Sequence, residues 1–384
     1  MEHRKLRGGM VGGTPDALIG PVHRMAATMD GQAEFVAGAF SRDPAKSKKT
    51  GELLYLDPSR VYKDYKEMVE KEAALPADQR IDFVSIVTPN VYHFEMAKAF
   101  LEAGFHVVCD KPMTFTLDEA HKLVDIVKKS GKVFALTHNY TGYPMVKQAQ
   151  EMVKNGDLGT INKIVVEYPQ GWLSGMLREE NPAINIWRMD PNMAGKSCCM
   201  GDIGTHAENL ARYITGLEID ELIADLSSFI KGNKLDDDGN VLVHYKGGAK
   251  GILHASQISS GEENGLNIRV YGNKLGMQWF QEDPNYLIIK DPAGFKKILS
   301  KGNDNLTERA QATGRLPFGH PDGFIEAFAN IYLEAFRAIR EVNDGKPVPA
   351  DADFPTVQDG VVGLAFIETV VESSANRAWT KMKS

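Results

Sequence analysis

Val87-Thr88-Pro89-Asn90-Val91-Tyr92-His93, followed by Gly104-Phe105-His106-Val107-Val108-Cys109-Asp110-Lys111-Pro112, is the stretch that decides the fold. The apolar run Ile81 to Thr88 is a buried strand ended by Pro89. Val91 to Ala103 carries helical spacing and stops at Gly104, a good C-terminal signal. Phe105 to Cys109 is a second strand. Two such strands joined by a helix run parallel, with a crossover connection between them. Their carboxyl ends, Thr88 onward and Asp110 onward, lie where ligands bind in open α/β sheets.

The same grammar extends outward from this stretch. Upstream, Leu6 to Val11 is a strand that runs into Gly12-Gly13-Thr14-Pro15-Asp16-Ala17-Leu18-Ile19-Gly20. Val22, Met25, Ala26 and Met29 then recur at helical spacing within Gly20 to Asp30. Phe35 to Phe40 is a strand, followed by a polar segment and a helix near Asp64 to Ala73. Downstream, Thr116 to Ser130 is a helix closed by Gly131, and Lys132 to Thr137 is a strand. Residues 1–140 are therefore expected to form an α/β Rossmann domain, a doubly wound parallel sheet.

After about residue 157 the pattern changes. Ile161 to Tyr168, Glu221 to Ser228, Val241 to Tyr245, Gly251 to Ile258, Asn267 to Tyr271, Gly276 to Phe280 and Tyr286 to Lys290 are all strand-like. Asp236 to Asn240 and Lys246-Gly247-Gly248 are taken as tight turns between antiparallel neighbours. Helices are expected at Phe324 to Asn343 and Thr356 to Met382. Residues 141–384 are thus expected to form an α+β domain on a large, mainly antiparallel open sheet, with the final helices free to pack back on the first domain. One face of an open sheet needs cover, from helices or from a second subunit, so a homodimer or homotetramer is predicted.

The chain has 384 residues and a formal charge of −7. That balance argues against a nucleic acid partner, which favours a basic surface. The lysines 46, 48 and 49 are read as a solvated turn. Three cysteines, two of them adjacent (Cys198 and Cys199), do not make a disulfide framework and suit a reducing compartment. Residues 1–9 hold no apolar run that would serve as a signal peptide, and no stretch is long and apolar enough to span a membrane. The expected location is the cytoplasm.

The glycine turn suits a pyrophosphate at a helix N-terminus, with Gly12, Gly13, Leu18 and Ile19 as the residues to hold it. It is not a strict G-x-G-x-x-G, and a plain strand-to-helix turn is the competing reading. The end of the second strand should meet the adenosine ribose. There Ser41 and Arg42 suit a 2′-phosphate or an adenine face, and Asp43 comes late for a ribose acid.

Taken together, the T-P-N-x-x-H segment and the later G-x-H-V-x-x-acid-K-P segment resemble the glucose-fructose oxidoreductase and inositol dehydrogenase family (Gfo/Idh/MocA). Asp110 departs from the family glutamate by a shorter acid. The resemblance implies a nicotinamide cofactor, NAD with NADP open, along Thr88, Asn90, His93, Asp110 and Lys111, with Asn139 after the last parallel strand. Met200-Gly201-Asp202-Ile203-Gly204-Thr205-His206 resembles the family's D-x-G-x-H segment. It implies hydride transfer at a ring hydroxyl of a sugar or glycoside. Lys111 then hydrogen-bonds the reacting oxygen, His206 is the base, and Asp202 orients it or binds a neighbouring hydroxyl.

Helix N-cap and core histidine are the competing readings of Asp202 and His206. Two ligands are too few for a metal, and none is expected. Trp187 and Arg188 resemble the family's W-R stretch and imply a ring face and hydroxyl donors. His320, in Gly319-His320-Pro321-Asp322-Gly323, is either a substrate contact or part of a simple turn. Lys196 to Cys199 interrupts the glycine run that the family carries shortly after its W-R stretch. The glycine turn, the Cys109 to Met113 segment and the late Gly-His-Pro look similar to levoglucosan and glycoside 3-dehydrogenase-like members, which implies chemistry at C3. An inositol dehydrogenase, a keto-sugar reductase and a non-catalytic nicotinamide-binding sensor are the alternatives.

Overall fold

The computed structural model describes residues 4–384 apart from Asn185. Residues 1–3, which begin the stretch read above for a signal peptide, lie outside the described residues. The chain divides into two units, one comprising the residues up to Asn139 together with Phe328–Val361, the other Tyr140–Ala327 with Val362–Ser384.

In the first unit β1 (Leu6–Gly12), β2 (Ala33–Ala39), β3 (Phe83–Val87), β4 (His106–Cys109) and β5 (Phe134–Leu136) form a parallel sheet in the order β2-β1-β3-β4-β5. β3, with every residue buried, sits at the centre, as a strand covered on both faces must. The strand order reverses between β1 and β3, so their carboxyl ends form a switch point. Helices join the strands. Leu117–Ser130 shows why such a segment is helical: Thr116 and Glu119 form a capping box, and Gly131 closes it at φ 64°.

One helix, Pro44–Leu53, falls in the segment read only as polar. Its buried face is Ser47, Thr50 and Gly51, so it carries no apolar periodicity. It is set instead by Pro44 in its first turn and by the Asp43 carboxylate, which accepts from the Ala45 and Lys46 amides.

The second unit holds β6 (Ile161–Pro169), β7 (Ile219–Ser227), β8 (Asp238–Tyr245), β9 (Lys250–Ser256), β10 (Asn267–Gly272), β11 (Gly276–Phe280), β12 (Tyr286–Lys290), β13 (Lys296–Ser300) and β14 (Thr380–Lys381). The sheet order is β13-β12-β11-β10-β6-β9-β8-β7-β14. β6 and β9 are parallel and the other pairs antiparallel. Helices Pro144–Lys154 and Thr205–Thr215 supply Met145, Val146, Leu210 and Ile214 to a core with Ile164, Val166, Val241, Val243, Leu253 and Trp279. The other face of the strands shows Leu242, Ile252 and Ile298 to solvent.

Two expectations need correction, and one strand is new. Asp236 to Asn240 is not a turn between strands, because Asp238 already pairs with Ser227 and Ser256, and Asp236 and Asp237 turn inward to accept backbone amides. The last helix is Val357–Asn376 and does not run to Met382, since Thr380 and Lys381 pair with β7. β13 was not anticipated, its sequence Lys-Lys-Ile-Leu-Ser offering one buried side chain, Leu299.

Candidate active site

The first unit gathers one set of groups at its strand ends. Gly12 and Gly13 turn with φ 84° and 78°, a region L side chains rarely adopt. A Cβ on Gly12 would lie 2.9 Å from the Val87 carbonyl oxygen, and one on Gly20 only 2.2 Å from Gly13 Cα. Gly12 and Gly13 therefore shape the turn, and Gly20 seats the helix Ile19–Thr28 upon it. Leu18 is exposed just before that helix.

At the end of β2, Asp43 is spent as a helix cap. Ser41 Oγ accepts from the Asp43 amide at 3.1 Å. The Arg42 guanidinium lies 5.3 Å from the Tyr92 ring centroid and donates to its hydroxyl at 3.0 Å.

Thr88 and Asn90 follow β3, Asn90 buried at the start of the short helical turn Asn90–Tyr92. His93 is buried, with Nε2 2.7 Å from the Thr88 carbonyl and Nδ1 2.8 Å from the Pro112 carbonyl. It thus ties the loop after β3 to the loop after β4. Burial lowers its pKa. Asp110 follows β4. Its Oδ1 accepts from the Lys111 amide at 2.9 Å and from Thr137 Oγ1 at 3.1 Å. Burial alone would push the Asp110 pKa up. The facing His23, then Lys111 and His93, override this and hold it well below the usual carboxylate range. Asn139 is buried with Nδ2 lacking a hydrogen-bond partner among the described residues. Positive-φ glycines at a helix start, a switch point and an unsatisfied amide donor at the strand ends fit a dinucleotide.

The second unit holds Asp202 and His206. Asp202 lies in a π-helical turn, Met200–Gly204, and His206 in the helix Thr205–Thr215 that continues it. Such turns recur at functional sites. The start of this segment is secured from the residues just before β8: Asp236 accepts from Ser197 Oγ (2.9 Å), the Cys198 amide (3.0 Å) and the Met200 amide (2.8 Å). The residues that interrupt the expected glycine run are thus the anchor of the segment. Asp202 Oδ2 takes a hydrogen bond from Gln257 Nε2 at 3.0 Å and lies 3.3 Å from Arg188 Nε. The Arg188 guanidinium also covers the Trp187 ring at 4.6 Å from its centroid. Cys198 Sγ donates to Gln257 Oε1 at 3.3 Å, which fixes the amide with its NH2 toward Asp202.

His206 is buried edge-on against Tyr140, with ring centroids 4.8 Å apart. The Tyr140 and Tyr168 hydroxyls hydrogen-bond each other, and Tyr168 donates to Asn264 Oδ1 at 2.7 Å. Burial raises the pKa of both phenols. His320 is exposed, its ring Nδ1 3.2 Å from the Phe318 carbonyl and its own carbonyl held by buried Lys301.

Sequence reasoning missed Gln257, Asp236, Tyr168, His23 and Tyr332. Only His23, a polar residue on the buried face of the first helix, carried a local signal. Among the described residues no three His, Cys, Asp or Glu side chains gather as a metal site would need, and no helix is long and apolar enough to cross a membrane.

Residues 6–138 match the family model described as an oxidoreductase family with an NAD-binding Rossmann fold, and residues 146–278 match the GFO/IDH/MocA C-terminal domain. The crystal structure of an inositol dehydrogenase homologue from Azotobacter vinelandii complexed with NAD+ is 35% identical. It covers 98% of this chain and 97% of its own, with a TM-score of 0.93. It has also been solved with NADH and myo-inositol. An oxidoreductase from Sinorhizobium meliloti is 45% identical, covers 99% and 100%, and has a TM-score of 0.89. The levoglucosan dehydrogenase of Pseudarthrobacter phenanthrenivorans is 26% identical over 79% of this chain and 80% of its own.

Proposed function

The chain belongs to the GFO/IDH/MocA oxidoreductase family, and from that premise we propose that it is an NAD-dependent dehydrogenase acting on a ring hydroxyl of a sugar, glycoside or cyclitol. The observation that carries the reading is the pairing of two chemistries in one chain. Lys111 follows an ionised Asp110 at the strand ends of the NAD-binding unit, and an acid-histidine pair, Asp202 and His206, is anchored in the other.

NAD, when bound, supplies the hydride acceptor. Lys111 hydrogen-bonds the reacting oxygen and stabilises negative charge as it develops there. His206 takes the hydroxyl proton at a ring nitrogen as the carbinol hydrogen leaves as hydride. Asp202, oriented by Gln257 and Arg188, accepts a hydrogen bond from a neighbouring hydroxyl. NAD is favoured over NADP because Arg42 is already engaged by Tyr92 and because the similar inositol dehydrogenase homologue was solved with NAD+.

Oxidation at C3 of a sugar or glycoside is the first substrate reading. A cyclitol is the second, favoured by the higher identity to the inositol-binding relative than to the levoglucosan dehydrogenase. We also propose a homodimer or homotetramer through the sheet face that exposes Leu242, Ile252 and Ile298, and a cytoplasmic location that keeps the buried thiols of Cys109, Cys198 and Cys199 reduced.

The test is a panel of sugars, glycosides and cyclitols, with NAD and NADP supplied separately and reduced nicotinamide followed by absorbance. Turnover with NAD on a ring hydroxyl is expected. Binding of NAD without turnover on any polyol would replace the dehydrogenase by a sensor.

A further inference from the structure

His23 has no part in the chemistry above, yet it is fully buried in the first unit beside the acid that precedes Lys111. Its Nδ1 lies 2.7 Å from the Tyr332 hydroxyl, which lies 2.8 Å from Ser85 Oγ. Its Nε2 faces Asp110 Oδ1 at 4.0 Å, an ion-pair distance too long for a hydrogen bond, and has no hydrogen-bond partner among the described residues. Phe328 closes the ring edge-on, with centroids 4.7 Å apart. The titratable groups facing Asp110 are His23 from the first helix, His93 from the helix after β3, the adjacent Cys109 and Lys111, and Tyr332 from the helix Phe324–Asn343.

Proton positions along this row follow from the acid at its end. An ionised carboxylate only accepts, so a lone pair on His23 Nε2 would be repelled by it. Nε2 must carry hydrogen. In a neutral ring Nδ1 is then the acceptor, the Tyr332 hydroxyl donates to it, and Ser85 donates to Tyr332.

We propose that His23, oriented by Tyr332 and Ser85, is a positioning residue for Lys111: its Nε2–H edge keeps Asp110 ionised, so that Lys111 retains an anionic neighbour throughout turnover. The inference rests on the reading of Lys111 as the group at the reacting oxygen. Without His23, burial acts on Asp110 with less opposition, and the carboxyl takes up its proton at a higher pH.

The experiment compares the parent enzyme with His23→Leu, Tyr332→Phe, Asp110→Asn, the double variant His23→Leu/Asp110→Asn, and Lys111→Ala. The melting temperature and kcat with NAD are each followed against pH. In His23→Leu the acid-side fall of both quantities is expected to move to higher pH. Tyr332→Phe, which leaves the imidazole in place, should show a smaller move in the same direction, and it carries the test if His23→Leu does not fold. In the Asp110→Asn background the His23 substitution should move neither profile further. Unchanged profiles in both single variants would overturn the relay. So would a shift in melting alone, which shows a link to Asp110 that does not reach Lys111. Lys111→Ala separates this failure from the larger one. Near-parent turnover there removes the assigned role of Lys111 and the relay with it, whereas slow turnover there with an unmoved His23→Leu profile removes the relay alone.

Discussion

Lys111 and His206 sit in surroundings built on opposite electrostatic plans. Around Lys111 the neighbours are ionisable: Asp110 is faced by His23, His93 and Lys111, and the charge they favour overrides burial. The His206 ring packs against two phenols, with Asp202 one turn before it. Tyr140 and Tyr168 keep their protons, and the acid that anchors the segment, Asp236, is held by one hydroxyl and two backbone amides. Burial then wins at Asp236, and its pKa is raised. A carboxylate beside a lysine and two histidines keeps its charge against burial, while one among neutral donors is pushed toward its protonated form.

The strongest way to break this contrast is to remove each centre. Lys111→Ala should slow turnover on the order of a hundredfold or more while NADH binding, read by fluorescence, stays mostly intact. His206→Ala should slow it on the same scale and also flatten the pH dependence of kcat. An unchanged pH profile at near-normal turnover would remove the histidine from the proton path. Gly20→Val attacks only the first region. Its Cβ meets Gly13 Cα at 2.2 Å, so a stability loss of roughly 1–3 kcal/mol and weaker NADH binding are expected, measured by denaturation and titration.

A finer test acts on the second region. Gln257→Leu removes the amide that holds Asp202, a hydrogen bond to a charge, and should raise KM for the polyol roughly tenfold with a smaller change in kcat. An equal fall in kcat with KM constant would place Asp202 at the reacting hydroxyl.

The smallest effect sharpens the comparison of the two acids. Asp236 has a folded-state pKa above its unfolded value, so its stabilising contribution is present in acid and is lost as pH rises through the folded pKa. Asp236→Asn should therefore cost more melting temperature at about pH 4 than at about pH 8. Asp110 has a depressed pKa and the reverse sign: its contribution is present above the unfolded pKa and is lost as pH falls through the folded one. A cost of Asp236→Asn that grew with pH would put a cation beside that carboxylate and erase the distinction.

Much of this protein is written locally. Alternating apolar runs, the Thr116 cap, Gly104 and Gly131 mark the parallel sheet before any contact is known, because strand burial and helix capping act within a few residues. The candidate residues Thr88, Asn90, Asp110, Lys111, Asp202 and His206 were singled out through short motifs of fixed spacing that resemble the family's. What the sequence left open is what only chain closure brings together. Helix Pro44–Leu53 and β13 were missed because their buried faces are small or sparse. β14 is a two-residue strand that exists only because β7 is there to pair with it. His23 meets Tyr332 across 309 positions, and Gln257 meets Asp202 across 55. A polar side chain on a buried face looks the same in sequence whether its partner is absent or far along the chain. The tertiary structure alone decides which, because an interior donor or acceptor must find its partner in space, whatever the distance in sequence.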